Sequence, residues 1–111
     1  MPQNKLLSSL GLCVRAGAVV FGAPMVCEAL AKPGRVRLVL ESADTSSATH
    51  KRLTDKCSYY GVRHVRLDVS GTELAAALGK HAFLAAVALT DQRLCDMVSA
   101  HLATDRLSQQ Q

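Results

Sequence analysis

The chain has 111 residues, 49% of them apolar and 20% charged, which is enough for one domain with a real core and too little for two. Thirteen Lys and Arg against nine Asp and Glu give +4 and a pI near 9.1, a mild excess that admits a nucleic-acid partner without requiring one. No apolar run approaches the roughly 18 to 20 residues of a membrane span, and the start, Met1-Pro2-Gln3-Asn4-Lys5, lacks a signal peptide's layout, so a cytoplasmic protein without membrane association is expected.

Residues 4–15 place Leu6, Leu7, Leu10, Cys13 and Val14 at three- and four-residue spacing, an amphipathic helix with Asn4 as N-cap and Gly17 as terminator. Ala18 to Phe21 is a short apolar strand ended by Gly22. A second helix from Ala23 to Lys32 buries Val26, Ala29 and Leu30, and Pro33-Gly34 stops it. Arg35 to Glu41 is β-branched and apolar, a central strand with a basic start. A third helix, Ser46 to Tyr60, buries Leu53, Cys57 and Tyr60 and closes at Gly61.

Val62 to Leu67 alternates apolar and basic side chains, as a strand with one exposed face does. Ser70 and Glu73 are spaced as a capping box for a short fourth helix through Leu78. Gly79-Lys80-His81 is loop, "FLAAVALT" is a buried strand, and Thr90-Asp91 caps a last helix to about Ala103 that buries Leu94, Met97, Val98 and Leu102. Strands alternating with helices predict a sheet covered on both faces. The expected organisation is one domain over residues 1–103, with 104–111 a disordered tail.

Little in this pattern carries catalysis. Cys13, Cys27, Cys57 and Cys95 form no C-x-x-C pair and read as reduced, buried thiols. His50, Cys57, His64 and His81 lie at no ligand spacing, so neither a metal nor a nucleophilic site is expected. Glu41, Asp44 and Asp55 are candidate carboxylates, but Asp55 stands four residues from Lys51 and reads as a surface ion pair. There is no phosphate-binding glycine motif, and no cofactor is expected.

Basic residues are more informative. Arg52 and Lys56 share a helix face with Thr49 one turn earlier, and Arg15, Lys32, Arg35, Arg37 and Lys80 are further cations that a fold can gather.

The segments "LGLCVRAGAVVFG", "VRLVLESAD", "LTDKCSYYGV" and "LGK" before an apolar strand resemble, in order and spacing, the YlxQ-like bacterial branch of the archaeal-type kink-turn-binding ribosomal protein superfamily. The resemblance spans roughly residues 4 to 100. It implies an α/β fold, a three-layer α/β/α sandwich with a four-stranded mixed sheet. It also implies a non-catalytic role on structured RNA, either ribosomal or kink-turn-like, in a translation-related or ribosome-associated setting. In such families the turn and helix start after the first strand enter the widened groove of the bent RNA, and an apolar loop before the last strand packs on a flipped-out nucleotide.

Transferred to this chain, the turn glycine is Gly22, and the resemblance implies that the following positions favour a small polar residue, Asn or Lys, Glu or Gln, and then a basic residue three further on. Here they are Ala23, Pro24, Met25 and Glu28, each a departure. Pro24 removes an N–H, Met25 cannot pair with a base edge, and Glu28 replaces a cation. Together they imply kink-turn affinity weakened by roughly two to three orders of magnitude. Gly79-Lys80 and Lys51-Arg52 keep the pattern. The candidate RNA-binding set is therefore Gly22, Ala23, Pro24, Met25, Glu28, Lys32, Arg35, Asp44, Arg52, Lys56, Gly79 and Lys80, on an expected monomer. The alternative is a protein-interaction module that kept the fold and lost RNA, with the Pro24-Met25 tip as its contact.

Overall fold

The structure is a computed structural model that describes the backbone of residues 2–110 and the side chains of residues 5–102. Elements follow in the order α1 (Pro2–Arg15), β1 (Val19–Phe21), α2 (Ala23–Leu30), β2 (Leu38–Glu41), α3 (Ser47–Tyr60), β3 (Arg63–Arg66), α4 (Gly71–Ala77), β4 (Ala86–Leu89) and α5 (Gln92–Gln110). The strands form one mixed sheet in the order β1-β4-β2-β3. β4 runs antiparallel to both β1 and β2, and β2 is parallel to β3.

Because side chains alternate across a strand, the sheet feeds two cores. Leu38, Leu40, Val65, Val87 and Leu89 pack with Leu6 and Leu10 of α1, Leu74 of α4 and Val98 of α5. On the other face Val39, Ala86 and Ala88 meet Val26 and Leu30 of α2 and Leu53 and Cys57 of α3. The three layers and the four-stranded mixed sheet are those expected.

Local chemistry sets the boundaries. Ser46 accepts the Thr49 N–H at 3.2 Å, and Gly61 closes α3 at φ 68°. Ser70 and Glu73 form the anticipated capping box, and Asp91 accepts the Leu94 N–H at 3.0 Å. Other expectations need correction. α2 ends at Leu30 rather than Lys32, and β2 and β4 are four residues each, shorter than the apolar runs containing them. Tyr60 is 40% exposed because α3 ends there, beyond the packed stripe. α1 starts at Pro2, so Asn4 lies within the helix rather than at its cap, and α5 runs to Gln110, past the expected end near Ala103.

All four cysteines are buried and free. Burial, with smaller contributions from Cys27 and Glu41, pushes the Cys57 thiol from 9.0 up to about 11. Between pH 9 and 11 the unfolded thiol has lost its proton while the folded one keeps it, so stability falls as pH rises through that window. Urea midpoints measured across it are expected to drop more steeply for the wild type than for Cys57→Ala, by about 2 kcal/mol in total. Parallel slopes would contradict this.

Candidate nucleic-acid interface

The register brings several connections to one end of the sheet. Phe21 pairs with Val87, Glu41 with both Ala86 and Arg66, the Gly22 N–H donates to the Ala86 carbonyl at 2.9 Å and the Ser42 N–H to that of Ala85 at 2.8 Å. The β1–α2 turn, the β2–α3 loop and the α4–β4 loop therefore meet there. Asp44, in the second of these, accepts the Gly71 N–H at 2.8 Å and so joins its loop to the start of α4.

Gly22 caps α2 at φ 87° and ψ 143°. That conformation alone requires glycine, since a Cβ built there meets only Pro24 Cδ at 3.9 Å. The first turn of a helix has N–H groups with no intrahelical acceptor, but Pro24 contributes none. Ala23 points into the core, while Pro24, Met25 and Glu28 are exposed.

The α4–β4 loop returns to this turn. Gly79 adopts φ 75°, and the Lys80 ammonium stands 4.2 Å from the centroid of the Phe21 ring, a cation–π contact that holds the cation beside Gly22. Three residues on, Phe83 is half-exposed against the start of α4, where a Cβ at Gly71 would fall 2.3 Å from its ring. The sequence reading put Phe83 at the start of a buried strand, whereas it precedes β4 and is half-exposed.

The remaining predicted residues separate into two groups. Lys32 and Arg35 follow the C-terminus of α2, about 12 Å along the helix from Gly22. They join the turn through a groove of about 390 Å³ between the edge of β1 and α2, lined by Phe21, Met25, Glu28, Lys32 and Arg35 among others. Arg52 and Lys56 lie on α3, roughly 9 and 15 Å along its axis from the Ser46 cap, in the same helical layer as α2. Arg52 is exposed and Lys56 partly so. Lys51 pairs with Asp55 at 2.6 Å, as the four-residue spacing predicts.

The sequence reading set His50 and His64 aside for want of a ligand spacing, but the fold brings both onto Glu41. Glu41 is fully buried, and its carboxylate accepts from His50 Nδ1 at 2.7 Å and His64 Nε2 at 2.7 Å, with Arg66 Nε at 3.5 Å. Arg66 also donates to the carbonyls of Ala43 at 3.0 Å and Ser42 at 3.4 Å, fixing the β2–α3 loop. No spacing connects residues 41, 50 and 64, and only the packing of β2, α3 and β3 joins them.

A mixed four-stranded sheet between two helical layers, with a glycine turn and an apolar, basic loop meeting at one end, defines a class of small α/β/α sandwich. The chain belongs to the Ribosomal protein L7Ae/L30e/S12e/Gadd45 family, which it matches over residues 4–98. Over 83 residues it is 42% identical to the RNA-binding protein YlxQ of Bacillus subtilis (strain 168), covering 75% of this chain and 80% of that protein. Among solved structures, a protein of unknown function from Bacillus halodurans is 31% identical, with a TM-score of 0.80 over 89% of this chain and 97% of its own. The Giardia lamblia 15.5kD RNA binding protein, 19% identical, shares the fold with a TM-score of 0.75 over 93% of this chain and 86% of its own.

Proposed function

We propose that this chain is a non-catalytic RNA-binding protein that holds structured RNA, ribosomal or kink-turn-like, at the end of the sheet where the β1–α2 turn meets the α4–β4 loop. The observation that carries the reading is the placement of Lys80 over Phe21 beside Gly22, which sets a fixed cation next to a turn of bare backbone. Phe83 supplies a half-exposed ring at the same end for an unstacked base. Family membership and the likeness to YlxQ support RNA as the partner. Lys32 and Arg35 extend the contact along the β1–α2 groove, and Arg52 and Lys56 form a second basic ridge on α3. Asp44 acts through the loop it ties down.

The departures at Pro24, Met25 and Glu28 leave charge as the main determinant, with the reading of sheared G·A edges lost. A cytoplasmic, translation-related role as an accessory factor follows from that ancestry. No helix among the described residues is long and apolar enough to cross a membrane.

Lys80→Ala is expected to weaken RNA binding several-fold whatever the RNA sequence, and to lower the slope of log K against log salt by about one. An unchanged slope would remove Lys80 from the interface. The rival reading, a protein contact through the Pro24-Met25 tip, draws on Met25 being 53% exposed. It predicts weak RNA binding indifferent to salt and to RNA shape.

A further inference from the structure

We propose that Glu41, His50 and His64 form a binding site for one Zn²⁺ ion. The three residues come from β2, α3 and β3, and their ligand atoms lie within 4.8 Å of one another. Each is carried by a strand or a helix, so the donors are positioned by the scaffold and only side chains must adjust. Tetrahedral zinc with bonds near 2.0–2.1 Å needs donors about 3.4 Å apart. The carboxylate–imidazole pairs, now at 2.7 Å, open slightly, and the two imidazoles close in.

The donor set argues for the metal. Two imidazole nitrogens and one carboxylate oxygen suit Zn²⁺ and its transition-metal neighbours, whereas Mg²⁺ and Ca²⁺ take oxygen shells. Glu41 is fully buried and already desolvated, and its negative charge offsets much of the cation's. His64 is 13% exposed and His50 40%, so the site is closed on the sheet side and open beside His50, where water completes the coordination.

Proton placement is consistent with an exchange. In the metal-free protein His50 Nδ1 and His64 Nε2 each direct a hydrogen toward Glu41. A neutral imidazole that moves its proton to the other ring nitrogen frees a lone pair at the same place, so the metal replaces the hydrogens of the two bonds. Arg66 is the opposing group. Its Nε lies 3.5 Å from the carboxylate, the longest of the contacts to Glu41, and its other bonds to Ser42 and Ala43 hold it when the metal enters. A neighbouring guanidinium makes this a weaker site than a structural zinc knuckle.

Thermal unfolding of EDTA-stripped full-length protein, titrated with ZnCl2, tests the assignment. A rise of about 10 °C is expected at a hundredfold excess over Kd. The rise should be lost in His50→Ala and in His64→Gln, kept in His81→Ala, and absent with MgCl2. The zinc-dependent increment is read against each variant's own metal-free midpoint, so a change in basal stability does not obscure it. Co²⁺ in place of zinc should give tetrahedral d–d absorption with no thiolate charge-transfer band. The absence of a zinc-dependent rise, an equal rise in His50→Ala, or a thiolate band marking a cysteine site would each overturn the proposal.

Discussion

Glu41→Ala is expected to lower the stability of the metal-free protein by about 3–5 kcal/mol, the usual consequence of removing one partner from a buried charged network. The carboxylate has no exposure, and its oxygens serve His50, His64 and Arg66. Without it, His64 keeps a ring N–H in a largely buried position with no acceptor, and a cavity opens under α3. Arg66 would still bond the β2–α3 loop, so the damage should be global in stability and modest in loop placement. Glu41→Gln keeps the volume and one acceptor and should lose roughly half as much. Urea unfolding measures both, and a loss below about 1 kcal/mol for Glu41→Ala would show that the network contributes little net free energy.

The second large effect concerns recognition. The triple change Pro24→Asn, Met25→Gln and Glu28→Lys supplies what the family resemblance implies for these positions: a backbone N–H with a polar side chain, a base-edge partner and a cation. Base-edge pairing is worth about 1–3 kcal/mol, and exchanging an anion for a cation adds a phosphate contact and its counterion release. Kink-turn affinity should rise by two to three orders of magnitude, with a steeper salt dependence. Glu28→Lys alone should give about tenfold. The backbone is ready for the change, because Gly22 already holds the turn and Met25 and Glu28 are exposed along the groove. A triple variant with unchanged affinity would mean that RNA does not approach this turn.

Local signals made most of the fold legible. Ser70 with Glu73, Gly61 after the α3 stripe and Asp91 before α5 act within a few residues, so their chemistry is written in adjacent letters. Strand ends were less legible because apolar runs continue past the hydrogen-bonded ladder, as Phe83 and Leu84 do before β4. The site depended on geometry that no spacing encodes. Lys80 reaches Phe21 across about half of the chain, which a motif hinted at and only the α4–β4 loop brings about.

Conversely, Lys32 and Arg35 are near Gly22 in sequence, yet α2 carries them to the other end of the sheet edge. The Glu41 cluster was illegible for the same reason as any convergence of three elements. His50 and His64 have no mutual spacing until β2, β3 and α3 are packed together.

The most direct test of RNA binding at this end of the sheet is fluorescence anisotropy of a labelled kink-turn RNA titrated at two salt concentrations. The same RNA with its sheared G·A pairs converted to Watson–Crick pairs serves as comparison. Recognition led by charge, as proposed, predicts binding to both RNAs that weakens clearly with salt and differs less than about tenfold between them. Salt-insensitive binding, or none, would contradict RNA recognition at this end of the sheet, and tight binding confined to the kink-turn would contradict the loss of base reading by Pro24, Met25 and Glu28.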